Sequence, residues 1–251
     1  MSSLQLNFSD VYTKVSEQIG WGTSPGVTNL ALAKAVVHRG YMRFLQPVDM
    51  RTGQKHTWSF LVKHTILNTE NDKWIYNLPT DFHSLYSVFT HEKDSGYPPM
   101  QSTTIAKINQ MRAGVDSTNF PHFYSIRTGP YVKEIGTTYE VAFFETPNAN
   151  YRLNYSYIIR PPELSAATDL FVGGDFASDV ILEHSLAIAE QEYDEVLGTH
   201  TQMAQQLTQQ LIVNDEPIIP DSVGRNLDVN IKHVSFERPL PLTQTDSIYP
   251  S

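Results

Sequence analysis

Two periodicities alternate along this chain. Residues 11–19 place apolar side chains at Val11, Tyr12, Val15 and Ile19, the spacing of one helical face, with Asp10 as the cap and Gly20 as the stop. Gly22 to Gly26 reads as a loop. A second helix is predicted from about Thr28 to Phe44, where Leu30, Ala33, Val37, Tyr41 and Leu45 share a face and Pro47 closes the element. The period then shortens to two. His56–Val62, Trp74–Pro79, Leu85–Phe89, Phe123–Ile126 and Tyr139–Phe144 read as strands, with a turn at Asn71-Asp72 and a short helix over 103–112. Tyr151–Ile159 is the clearest strand: positions 151, 153, 155, 157 and 159 are apolar or aromatic, and 152, 154 and 156 are polar.

A long helix is predicted next, beginning at Gly173-Gly174-Asp175 or at Ser178. Its stripe is Leu182, Leu186, Ala189, Tyr193, Val196 and Leu197, continued by Met203, Leu207 and Leu211 beyond Gly198. A glycine inside a helix costs roughly 1 kcal/mol, so a kink or a break is expected there. Past Asn214 the periodicity ends. Prolines 217, 220, 239, 241 and 250 punctuate isolated apolar residues, Ile218, Ile219, Val223, Leu227, Val229, Ile231 and Phe236. Such an arm buries its apolar side chains only against another surface.

The pattern as a whole predicts an α+β fold: a helical bundle of the N-terminal helices plus the long C-terminal helix, with an inserted antiparallel β-rich domain and an extended C-terminal arm. The boundaries are 1–50 with 163–213 for the helical part, 51–162 for the β-rich part and 214–251 for the arm. A chain of 251 residues accommodates this as one large domain or two small ones.

Charge changes the picture. No lysine or arginine occurs between Arg160 and Arg225, and twelve acidic residues do, so this stretch exceeds the chain's net −9 and leaves the remainder slightly basic. Within that window an acidic helix finds no partner, which points to a cavity, a channel or a basic partner. Glu183, Glu190 and Asp194 are the candidate channel-facing acids.

Enzyme signatures are weak. Gly22-Thr23-Ser24-Pro25-Gly26 fits the nucleophile-elbow pattern, but a helix precedes it, and Pro25 has no N–H to donate to an oxyanion. Zero cysteines exclude disulfides, thiolate chemistry and cysteine-type zinc sites. Glu183-His184 and Glu195 with His200 lack the spacing that places metal ligands on one helical face. Glu190, Glu192, Asp194 and Glu195 spread around the helix instead of converging on a cation. No phosphate-binding glycine loop is present, and the basic residues are too dispersed for a nucleic-acid grip. No apolar run spans a bilayer and the start lacks a signal-peptide pattern, so neither cofactor nor membrane is expected.

Three pieces in order carry a resemblance. They are Tyr76-x-Leu78-Pro79-x-Asp81-Phe82, the strand–turn–strand Glu145 to Tyr157, and the Pro161-Pro162-Glu163-Leu164 exit into the long helix. With two helices before them, spanning roughly 10–213, they resemble the head-to-tail adaptor (head completion) proteins of tailed bacteriophages. The resemblance implies a non-enzymatic virion protein of the neck, assembled in the host cytoplasm. It implies a homo-oligomeric ring, usually of twelve copies, under the portal protein, with tail or neck proteins beyond it. It further implies that genomic DNA passes through without sequence-specific binding and that the C-terminal arm docks into the portal. Another neck or tail component, a stopper or tail-attachment protein, is the near alternative. A cytosolic ligand-binding protein is the distant one, and it requires a concave pocket with converging polar groups.

Overall fold

A computed structural model describes residues 4–93, 95–114, 117–134, 136–195 and 198–215. In chain order, α1 (Phe8–Gln18) and α2 (Val27–Leu45) are followed by β1 (Val62–Asn68), β2 (Ile75–Asn77), β3 (Phe82–Leu85), β4 (Thr90–His91) and β5 (Gln101–Ser102). Then come α3 (Ile105–Gly114), β6 (Thr118–Asn119), β7 (Phe123–Val132), β8 (Gly136–Phe144), β9 (Thr146–Pro147) and β10 (Arg152–Ile159). The chain then forms α4 (Gly174–Ala189), a π-helical turn at Glu190–Asp194, and α5 (Thr199–Asp215). An α+β mix is what the periodicities predict.

Helix α1 starts three residues before the predicted position. Asn7, not Asp10, is the cap: its side chain accepts from Asp10 N, and the Asp10 carboxylate accepts from Asn7 N, a reciprocal capping box. Phe8 is therefore helical and fully buried. In α2 the buried face includes the predicted Ala33, Val37, Tyr41 and Leu45, and adds Val36, Gly40 and Phe44. Gly40 matters because a Cβ there would stand 2.8 Å from both Cα and N of Ser185, so α2 and α4 meet at backbone distance.

Helix α4 corrects the picture of a long acidic helix. Ten of its sixteen residues are buried, on every side, which makes it the central helix of the bundle. Its acids Asp175, Asp179 and Glu183 recur every four residues along one side, and the next acids, from Glu190, lie beyond the helix. The break lies ahead of Gly198, in the π-helical turn and at Glu195, whose φ is +54°. Gly198 is small because the Glu190 carboxylate lies against it. Helix α5 returns antiparallel to α4 and presents Ala204, Thr208 and Ile212, one position off the predicted Met203–Leu207–Leu211 stripe. Small Ala204 and Thr208 at the contact let the helices approach, and Met203 is left exposed.

The β-rich part is mainly antiparallel. One sheet runs β1-β10-β3 with β4 also on β10, and a second runs β2-β8-β7-β5. Two short pairs are parallel, β5 with β7 and β6 with β9. Each has the long connection that a parallel pair needs: α3 lies between β5 and β7, and the β7–β8 hairpin between β6 and β9. The 56–62 segment is not the predicted strand. Trp58 stacks on Phe44 at 4.9 Å and Phe60 at 5.4 Å and donates Nε1–H to Phe44 O, plugging the helical core, and the chain becomes a strand only from Val62. The 85–89 strand is likewise displaced: β3 ends at Leu85, and Phe89 is buried without being part of a strand.

There are two apolar cores in this one compact unit. The first joins α1, α2, α4 and α5 to Trp58, Leu61, Leu164 and Phe171. The second lies in the sheets, around Phe82, Phe89, Phe143, Leu153 and Tyr157. The 76–82 motif ties the second core together. The Tyr76 hydroxyl donates within the 70–73 turn, and Phe82 stacks on Tyr157 at 5.6 Å. Asp81 accepts from the Tyr157 hydroxyl and Lys63, and its carbonyl accepts from Arg160 N. That last bond fixes the point at which the chain leaves the sheet for the helices.

Candidate interaction surface

The acidic segment is paired in space where it is unpaired in sequence. Arg39 on α2 forks onto Glu192 with both terminal nitrogens, and Arg43 donates to Gln191 at 3.1 Å. The Glu192 carboxylate raises the Arg39 pKa further. Trp21 packs edge-on against Tyr193 at 5.2 Å, holding the same turn from the other flank. Glu163 lies 4.0 Å from His38, and Asp215 accepts from Ser59 N and lies 2.9 Å from His56 Nε2. The expectation of an acidic stretch with nothing to pair with is therefore corrected for these acids, since their partners come from the first sixty residues.

Of the three candidate channel acids, Glu183 faces inward. Its carboxylate is 2.7 Å from His200 Nδ1 across the α4–α5 hairpin and only 13% exposed. Glu190 is half-buried over Gly198, with Oε2 enclosed and without a hydrogen bond among the described residues. Asp194 lies in the π-helical turn, and its side chain falls outside the described residues. So do Val196, Leu197 and the arm residues Ile218, Ile219, Val223, Leu227, Val229, Ile231 and Phe236.

Next to this turn His184 donates from Nε2 to Thr208 Oγ1 at 2.8 Å, because the Thr208 hydroxyl hydrogen already goes to Ala204 O. Burial first, and the nearby Arg43 charge second, push the His184 pKa down to about 4. The ring is a neutral structural donor.

Two features were not anticipated from the sequence. A cavity of about 680 Å³ opens between the second half of α2, β3 and the exit of β10, with Tyr41, Leu45, Leu61 and Ile158 in its apolar lining and Lys55 and Arg160 among its polar residues. Phe176, in the first turn of α4, is 80% exposed. The cavity assembles residues more than a hundred positions apart, so no local pattern announces it. Phe176 does carry a signal: it is a large apolar residue lying off the apolar stripe. Among the described residues no three His, Asp or Glu side chains gather as metal ligands, and no helix is long and apolar enough to cross a membrane.

The described residues of this α+β chain thus present an acidic hairpin turn, an open apolar cavity and an exposed phenylalanine. The SU10 adaptor protein family matches residues 6–221, and the chain belongs to that family. This is a family of structural head-to-tail adaptors of tailed bacteriophages, not a class of enzyme. It places the protein at the virion neck, with portal and tail proteins as neighbours. A search of curated proteins gives no match.

Proposed function

We propose that twelve copies of this chain form a ring under the portal and continue the DNA channel toward the tail. Segment 214–251 docks on the portal through Ile218, Ile219, Val223, Leu227, Val229, Ile231 and Phe236. The subunit is made in the host cytoplasm and closes into a ring on its partner, where binding offsets the repulsion among like-charged copies.

The observation that supports this most is the segregation of charge within an adaptor-family chain. Glu190, Glu192, Asp194 and Glu195 follow one another within six residues at the α4–α5 turn. Arg39 holds Glu192 and Glu183 turns inward to His200, so Glu190, Asp194 and Glu195 are the acids assigned to the channel. A ring repeats that turn once per copy. Turned toward the channel, it repels phosphates and lets genomic DNA slide without being held.

Mixing the full chain with purified portal and counting copies by native mass spectrometry tests the ring; a single copy bound per portal complex refutes it. Truncation after Asp215 tests the arm, since it preserves the contacts of Asp215 with His56 and Ser59. The truncated protein keeps its melting transition and loses portal attachment. Full attachment without residues 216–251 removes the role assigned to them.

A further inference from the structure

The exposed Phe176 and the open cavity are complementary. Burial of an aromatic ring is among the larger favourable terms in a protein contact, and Phe176, 80% exposed, is the one phenylalanine among the described residues that stands out into water. Its helical neighbours Asp175 and Asp179 are both exposed. The cavity reverses these properties. Its lining is mainly apolar, and Lys55 and Arg160 are exposed at it with no acidic partner among the described residues. The one acid lining it, Glu163, lies 4.0 Å from His38. Lys14 shares the shallow hollow beside Phe176.

We propose that Phe176 of one copy seats in the α2–β10 cavity of the next, with Asp175 and Asp179 meeting Lys55 and Arg160. Knob and cavity are different surfaces of one chain, so the contact is head to tail. Repeated, such a contact closes into a ring when its rotation divides a full turn. It rests on the ring reading above and names the joint between its copies. Apolar insertion supplies the attraction, and the flanking charges set the register.

The chain has no cysteine, so single thiols can be placed at will. Leu4→Cys and Met42→Cys are suitable because Leu4 lines the hollow beside Phe176 and is 88% exposed, and Met42 lines the cavity and is 53% exposed, so neither substitution disturbs a core or removes the Phe176 ring. The two variants are mixed on portal and treated with a short bis-maleimide. A covalent dimer containing one copy of each forms in the mixture and in neither variant alone. Tyr131→Cys, 74% exposed on β7 and outside the cavity, mixed with Leu4→Cys gives no such dimer. As a second measurement, Lys55→Glu with Arg160→Glu raises the concentration for half-assembly about tenfold or more, and Asp175→Lys with Asp179→Lys in the same chain restores it.

A ring of normal copy number with no mixed dimer overturns this joint and leaves the ring reading standing. Met42→Cys linked to the portal chain in place of a second copy overturns the assigned occupant. Absence of any ring from the unsubstituted chain on portal removes both readings together.

Discussion

Replacing Gly40 by alanine opposes two effects whose sizes can be compared. Alanine is favoured over glycine in a helix interior by about 1 kcal/mol, so by propensity alone the substitution stabilises α2. The new Cβ would stand 2.8 Å from Cα and N of Ser185, where comfortable carbon contacts are near 3.5–4.0 Å. These are backbone atoms of the central helix and cannot rotate aside. Helix α4 would have to withdraw from α2, yet Ile181, Ser185 and Ile188 are held tightly in the core. Overpacking of this kind costs about 1–3 kcal/mol, and the upper part of that range applies where the obstacle is main chain.

The net expectation is a loss of about 1–2 kcal/mol, which lowers Tm by about 2–8 °C for a domain of this size. Urea unfolding should show a lower midpoint at unchanged slope. Gly114→Ala, whose Cβ meets nothing within 4 Å, is the control and should melt no earlier than the parent. Adding Ser185→Gly to Gly40→Ala removes the Ser185 Oγ, also too close to the new Cβ, but leaves N and Cα in place, so rescue should be partial. If Gly40→Ala melts at or above the parent temperature, the backbone approach of α2 and α4 is wrong. Complete rescue by Ser185→Gly would put the obstacle in the side chain alone.

Three further predictions concern the elements that hold the contact surfaces in place. Trp58→Ala should cost about 3–5 kcal/mol in denaturant unfolding, because it empties a stacked, fully buried site that joins α2 to the first residues of the β-rich part. Asn7→Ala should cost about 1 kcal/mol by the same measurement, since the side-chain acceptor for Asp10 N is lost while the residue 7 N–H can still donate to the Asp10 carboxylate. His184 titrates near 6.5 unfolded and near 4 folded, so its contribution to stability is complete above about pH 6.5, declines as pH falls and is gone below about pH 4. That amounts to up to about 3 kcal/mol, and His184→Gln, which can still donate to Thr208, should flatten the pH dependence of Tm across this window.

The helices and the main strands were legible because each buries one face locally. Val11, Val15, Val37, Tyr41, Leu153, Tyr155 and Tyr157 are interior residues that the 3.6- and 2-residue periods select. Misreadings occurred where a residue serves a distant core. Trp58 belongs by chain position to a strand-like run and by packing to the helices, and tertiary burial overrode β propensity. In α5, apolarity suggested Met203, Leu207 and Leu211. Leu207 and Leu211 do pack, partly buried, against the helical core, but Met203 is exposed and the fully buried positions are Ala204, Thr208 and Ile212, since the tight approach to α4 rewards small size.

Charge shows the same limit more sharply. A window of sequence counts charges along the chain, but an ion pair is formed across space. The stretch that lacks lysine and arginine between Arg160 and Arg225 obtains Arg39 as a cation for Glu192, and the His38 and His56 rings as neighbours for Glu163 and Asp215, from elements more than a hundred residues earlier. What remains after this pairing is informative. Asp175 and Asp179 stay exposed on α4, and Lys55 and Arg160 stay exposed at the cavity, each set near an apolar feature of the opposite shape. Within one chain nothing requires exposed charges of opposite sign to flank a knob and a hollow. Between copies that arrangement fixes register and direction at once, and it lets a subunit with acids of its own join others like it.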